Sequence, residues 1–251
     1  MRPVGPGRPR PAGDEPRDRR GADRPRDARR QRLGRGPASG QSPLKIGIIG
    51  SGRIGGTMGE HWVKAGHEIM FSSRHPENLK EMAAKLGPRA RVGTPREAAA
   101  FGDVIFIAVP YSAIPQVGAD YKNEMKGKVV VNASNPIPRR DGPVAEEAQK
   151  KGAGAADLEF LPGTRIARAF TFPGAGTFKS EAHRAGERIA VAVAADDKEA
   201  MEVASRLVRD AGFEPVHVGA LARAKDFQPG TPIFGKAMTA REMKQALGLQ
   251  P

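Results

Sequence analysis

The chain has no cysteine among its 251 residues, which excludes disulfides, thiolate metal sites and a cysteine nucleophile. That absence leaves the redox compartment open. No apolar run approaches the ~18 residues of a membrane span, and no membrane association is expected. The five histidines, His61, His67, His75, His183 and His217, show no ligand spacing, so no metal site is expected. Nor is there a Tyr-x-x-x-Lys pair, a Ser-His-Asp order or a set of paired carboxylates. No residue is therefore assigned a catalytic role.

Residues 1–42 have almost no large apolar side chains. They hold twelve Arg against five acids, a net +7, with abundant Pro and Gly. Such a segment cannot bury enough surface to offset the entropy of ordering. It lacks the apolar core of a secretory signal peptide, and its acids argue against a mitochondrial presequence. A cytoplasmic protein is expected. Neither aromatics nor a folded nucleic-acid module accompany the charge, so nucleic acid is not the expected partner. The favoured reading is a disordered arm without a role; the alternative is a basic arm that touches nucleic acid or an acidic protein. Of the chain's +13, the arm leaves +6 for the remainder, a modest charge beside an anionic ligand.

What the chain does have is Lys45 to Arg74, KIGIIGSGRIGGTMGEHWVKAGHEIMFSSR. Ile46–Ile49 is an apolar run without helical period, as in a buried parallel strand. Gly50, Gly52 and Gly55 follow in the spacing G-x-G-x-x-G. Ile54, Met58, Trp62 and Val63 then recur at helical spacing up to Gly66, and Glu68–Phe71 is a second apolar run. Strand, turn, helix and strand fit in the roughly thirty residues of a dinucleotide-binding unit. Gly50 permits the turn, Gly52 lets a pyrophosphate approach backbone, and Gly55 lets helix and strand pack closely. The turn Gly50-Ser51-Gly52-Arg53-Ile54-Gly55 is thus the candidate phosphate cradle, with the helix N-terminus adding free N–H groups. Arg53 either adds a positive charge or points to solvent.

The end of the second strand refines this reading. An acid there would accept from a ribose 2′-hydroxyl, whereas an Arg suits a 2′-phosphate. The chain reads Ser72-Ser73-Arg74, with no acid before Glu77. Two hydroxyls and a guanidinium form a phosphate pocket, which favours NADP over NAD.

The stretches IGIIGSGRIGG, FSSRHPENL, DVIFIAVP, VVVNASNPI and FEPVHVGAL resemble the NADPH-dependent coenzyme F420 reductase-like oxidoreductases. The same module occurs in the cytoplasmic domains of STEAP-type ferric reductases and, more distantly, in pyrroline-5-carboxylate reductases. The resemblance spans about Leu44 to Leu221, is most specific at the glycine turn and Ser-Ser-Arg, and fades after Ala222. It implies NADP(H) as cofactor and a small-molecule redox acceptor, with F420 or a flavin as co-substrate.

Ligands of open α/β sheets sit outside the carboxyl ends of strands. Two such ends are Val109-Pro110 after a strand over Asp103–Val109, and Asn132 to Pro136 after Lys128–Val131. The resemblance makes Val109, Pro110, Ala133, Ser134, Asn135 and Pro136 contacts of the nicotinamide ribose and ring. Asn135 either bonds the cofactor or forms an Asn-Pro turn. A strand over Ile166–Phe172 matches a family segment written Lys-Ala-Phe-Asn or Ala-Leu-His, here Arg168-Ala169-Phe170-Thr171. The polar residue near the nicotinamide then becomes Thr171, which can orient a carboxamide but carries no charge.

The remaining expectations concern organisation. Pro76–Leu86 reads as a helix with Leu79, Met82, Ala83 and Leu86 buried, Val92–Thr94 as an edge strand, and Thr94 to Glu97 as a capping box. Pro143–Lys151 reads as a helix and Gly152–Ala156 as a flexible loop. Ile189–Ala194 is a strand, Asp196 caps a helix that ends at Gly212, and Glu214–Val218 is the last strand. The expected fold is α/β, a doubly wound, mainly parallel Rossmann sheet with a small C-terminal extension. The arm is 1–42, the NADP-binding oxidoreductase domain 43–221, and the tail 222–251, which either packs on the domain or on a second subunit of a homodimer. The expected function is hydride transfer between the nicotinamide and a flavin-like or deazaflavin acceptor. The alternative is a non-catalytic NADP(H)-binding sensor or scaffold that acts through a partner protein.

Overall fold

The computed structural model describes residues 41–250. The basic arm read over residues 1–42 lies outside them except for its last two positions. Eight strands form one sheet: β1 (Lys45–Ile49), β2 (Glu68–Ser72), β3 (Ala90–Gly93), β4 (Val104–Ile107), β5 (Val129–Asn132), β6 (Arg165–Arg168), β7 (Ala190–Ala195) and β8 (Glu214–Gly219). Their order in space is β3-β2-β1-β4-β5-β6-β7-β8. All pairings are parallel except β6 with β7. The order reverses between β1 and β4, which is where a doubly wound sheet opens a crevice.

Helices make the crossovers. They are α1 (Arg53–Lys64), α2 (Lys80–Leu86), α3 (Pro95–Phe101), α4 (Ile114–Asp120), α5 (Lys122–Met125), α6 (Pro138–Asp141), α7 (Pro143–Lys151), α8 (Ala153–Phe160), α9 (Ala175–Ser180), α10 (Lys198–Asp210) and α11 (Ala240–Ala246). Among the described residues none is long and apolar enough to cross a membrane.

Side-chain alternation explains why helices cover both faces. β4 sends Val104 and Phe106 into one core and Ile105 and Ile107 into the other. Strands buried on both sides need apolar residues at every position, hence the runs without polar interruption. In the first core Trp62 of α1 is fully buried, and its ring meets Phe106 edge-on at 4.9 Å. Its indole N–H donates to the Leu207 carbonyl at 2.9 Å, which ties α1 to α10. On the other face α3 lies so close to β1 that a Cβ on Gly47 would stand 1.9 Å from the Ala98 carbonyl oxygen.

Several boundaries differ from the sequence reading. Gly152–Ala156 is mostly helix, the start of α8, where a loop was expected. Its small residues serve contact: a Cβ on Gly154 would sit 2.2 Å from the Leu221 carbonyl oxygen. The strand expected over Ile166–Phe172 stops at Arg168, because Phe170 adopts φ 59° and leaves the extended region. β4 ends at Ile107, short of Val109. The helix expected from Pro76 begins as a 3-10 turn over Pro76–Leu79, and of its stripe only Ala83 is fully enclosed. The α10 cap is Asp197, whose carboxylate accepts from the Ala200 N–H at 2.8 Å. Asp196 instead accepts from the Leu221 N–H at 2.9 Å, fixing the start of the tail. Phe227, Ile233 and Met243 of that tail pack on Ala190, Ala192, Val216 and Val218 of β7 and β8.

Candidate functional site

The glycine turn connects β1 to α1 at the point where the sheet order reverses. Gly50 has φ +94°, and a Cβ there would meet the Ala108 carbonyl oxygen at 2.6 Å, so only glycine fits. A Cβ on Gly55 would lie 2.1 Å from the Gly50 carbonyl oxygen and 3.1 Å from Ile48 Cγ2 of β1, which is the close helix–strand packing the spacing predicts. At Gly52 a Cβ would meet nothing within 4 Å. Gly52 faces open space.

Gly52 is also the N-cap of α1, with no side-chain cap and no acid in the first helical turn. The first N–H groups of the helix therefore keep their positive potential for an outside anion. Arg53 is exposed and does not line the adjoining cleft, and Ile54 packs partly against the core. The Ser51 N–H donates to the Ser72 carbonyl at 3.0 Å, and the Ser72 N–H donates to Ser51 Oγ at 2.9 Å. This exchange locks the turn to the end of β2.

That lock corrects the reading of Ser72. Its side chain is fully buried and its hydroxyl donates to the Ile48 carbonyl at 2.5 Å. With its one proton committed, Ser72 holds the strand and is no donor to a phosphate. Ser73 is half-buried, its Oγ accepting from the His75 N–H at 3.1 Å, and Arg74 is exposed. A hydroxyl and a guanidinium remain where two hydroxyls and a guanidinium were expected.

A cleft of about 670 Å³ runs from Gly50, Ser51 and Gly52 past Ser72, Ser73 and Arg74 on one side and Val109 and Pro110 on the other. Gln116, Asp120 and Tyr121 close another part of its wall. The structure thus brings the glycine turn, Ser72-Ser73-Arg74 and Val109-Pro110 into one cavity, with the Ser72 hydroxyl turned to the Ile48 carbonyl. Ala133, Ser134, Asn135, Pro136 and Thr171 stand apart from its lining, with Ser134 bonded to its edge and Asn135 to Thr171. Ser134 Oγ accepts from the Val109 N–H at 3.2 Å, and the Asn135 side-chain amide donates to the Thr171 carbonyl at 2.6 Å. Asn135 Oδ1 is buried and has no partner among the described residues. Thr171 itself is 7% exposed, so its contribution here is a backbone carbonyl.

One cluster had no signal in the sequence. Arg168, read there only as a departure from a family segment, is 1% exposed and pairs with Asp157 of α8 at 2.7 Å. Asp157 also accepts from the Tyr111 hydroxyl at 2.8 Å and the Asn132 side-chain amide at 3.0 Å. Burial, and then the nearby Asp157 charge, push the Tyr111 phenol well above its ordinary pKa, so it stays a donor. Asp157 lies in a stretch of Gly and Ala with no periodicity to flag it, and its partners are 11, 25 and 46 positions away. Among the described residues no three His, Asp or Glu side chains group so as to hold a metal ion. His183 is exposed, and its backbone N–H donates to the Gly212 carbonyl.

Residues 45–136, from β1 to the loop after β5, match the family described as NADP oxidoreductase, coenzyme F420-dependent. The chain resembles that family. It is 29% identical over 188 residues to Metalloreductase STEAP3 of Rattus norvegicus, covering 73% of this chain and 36% of that protein. It is 28% identical over 205 residues to an F420-dependent NADP reductase of Methanothermobacter thermautotrophicus, covering 76% of this chain and 88% of that one. The chain therefore spans about a third of the metalloreductase and most of the archaeal reductase. A solved structure, the hypothetical protein SMa0349 from Sinorhizobium meliloti, superposes with a TM-score of 0.66 at 24% identity, over 79% of this chain and 96% of that one. At that identity the likeness shows the fold. The family model and the Methanothermobacter reductase thus liken the chain to NADP-dependent oxidoreductases.

Proposed function

We propose that the chain transfers a hydride between NADP(H) and a flavin-like or deazaflavin acceptor of the F420 kind. The observation that carries the cofactor half is Ser73-Arg74 at the carboxyl end of β2, opening into the same cleft as Gly50–Gly52. A guanidinium there favours a ribose 2′-phosphate, and the acid that would favour an unphosphorylated ribose is absent. The open space at Gly52 and the uncapped start of α1 fit a diphosphate. The buried, unpartnered Asn135 Oδ1 fits an N–H or O–H donor, such as a carboxamide or ribose hydroxyl.

When bound, the reduced nicotinamide supplies the hydride. The chain's own part is to orient the cofactor and keep water out. Ser73 and Arg74 would fix one end of the dinucleotide, the N-terminus of α1 would hold its middle, and Val109, Pro110 and Asn135 would bound the other end. Hydride transfer between stacked rings asks for contact geometry more than for an acid or base. The absence of a catalytic dyad or metal ligand set in the sequence suits that demand. The acceptor class rests on the archaeal reductase, 88% of whose length this chain covers.

The test is an NADPH oxidation assay with F420, FMN and ferric citrate as separate acceptors. Turnover with F420 or FMN is expected. NADPH binding without oxidation by any of the three would favour the second reading, a sensor that signals its cofactor state to a partner protein.

A further inference from the structure

The buried network around Asp157 joins the ends of three neighbouring strands. Tyr111 follows β4, Asn132 ends β5 and Arg168 ends β6. All three donate to one carboxylate on α8. The second arm of the Arg168 guanidinium donates to the Ser134 carbonyl at 2.6 Å. Ser134 is bonded in turn: its N–H donates to Asn132 Oδ1 at 2.9 Å, and its Oγ accepts from the Val109 N–H. One guanidinium therefore fixes the backbone after β5, and through Ser134 the backbone after β4.

An ion pair this deep is weak evidence of stabilisation, because apolar residues of similar volume often do as well. What a planar guanidinium offers is a rigid fork that spans two acceptors at set positions. Among the described residues Arg168 Nε has no partner, and the fork is held by Asp157 and Ser134. One of its two anchor points, the Ser134 carbonyl, directly precedes Asn135, whose Oδ1 has no partner among the described residues. Arg168 does not line the cleft itself.

The geometry points to Arg168 as a positioning residue for the nicotinamide half of the cofactor. Bridging Asp157 and the Ser134 carbonyl, it sets the 133–135 backbone against Val109 and aims Asn135. The adenosine half, held by Ser73 and Arg74 across the cleft, does not depend on it. This inference rests on the NADP(H) reading above.

The test uses two ligands on the whole chain. Adenosine 2′,5′-bisphosphate reports the adenosine half alone, and NADPH reports both halves. Arg168→Lys keeps the charge and loses the fork. It is expected to bind the bisphosphate within about twofold of wild type and NADPH about tenfold more weakly, with less enhancement of nicotinamide fluorescence. Tyr111→Phe removes one neutral donor from the same carboxylate. It is expected to shift the two affinities in the same selective way by about threefold, and it decides the matter if the lysine variant does not fold. Parallel weakening of both ligands, or no change in either, would overturn the proposal. Wild-type chain that binds neither ligand would overturn the cofactor reading, and this inference with it.

Discussion

Gly52 and Gly55 stand three positions apart in one motif and do unrelated work. Added bulk at Gly55 collides with the Gly50 carbonyl, whereas bulk at Gly52 enters the empty cleft. Gly55→Ala should therefore destabilise the fold by about 2–3 kcal/mol in urea denaturation. Gly52→Ala should cost no more than about 1 kcal/mol, yet weaken NADPH binding about tenfold or more by calorimetry. Equal stability losses in the two variants would break this division. Arg74→Ala is expected to weaken NADPH about tenfold and to leave NADH nearly unchanged, since only NADPH carries the 2′-phosphate. Matching losses for both cofactors would contradict the assignment. At this scale the sequence was informative wherever a residue type has few uses, as with Gly50 and Gly55, whose contacts leave no room for a Cβ. It misled at Ser72, because a serine's hydroxyl serves a strand carbonyl as readily as a phosphate. It was silent on Asp157, whose importance arises from three residues that only the fold brings to it.

The βαβ unit from β1 to β2 was readable because each boundary had a physical marker: an apolar run, a glycine turn, a helical stripe and a second run. α3 was equally plain. Its Thr94–Glu97 capping box forms, with Glu97 accepting from the Thr94 N–H at 2.7 Å and from its hydroxyl at 2.9 Å. These hydrogen bonds hold the Glu97 carboxyl below its ordinary value. A carboxyl lowered on folding stabilises the fold above its unfolded pKa, and that stabilisation is lost as pH falls through the folded value. Denaturation of wild type and Glu97→Gln between pH 7 and pH 3 should show the difference between them shrinking as the pH drops. A constant difference would mean that the box does not titrate as described. By contrast α8 was hidden, since glycine and alanine in a row suggest slack when read alone. Only the approach of Leu221 to Gly154 shows that small size there is what lets a helix pack against the tail.

On the scale of the whole molecule, the stretch that matches a known family ends near β5, but the site does not. Arg168 on β6 and Thr171 beyond it bond to the loop after β5 from the other half of the sheet. The tail anchors that half by covering β7 and β8. The fold class was legible because strands buried on both faces are written as unbroken apolar runs, with helical periods between them. The placement of the second loop was not, because it depends on Tyr111 after β4, Asn132 of β5 and Arg168 of β6 meeting at one buried carboxylate on α8. The central claim is that the cleft at the β1–β4 crossover holds a 2′-phosphorylated dinucleotide. Isothermal titration calorimetry of the purified chain with NADPH and, separately, NADH tests it most directly. One NADPH per chain, bound more tightly than NADH, is predicted; no heat with either coenzyme, or equal affinity for both, would contradict it.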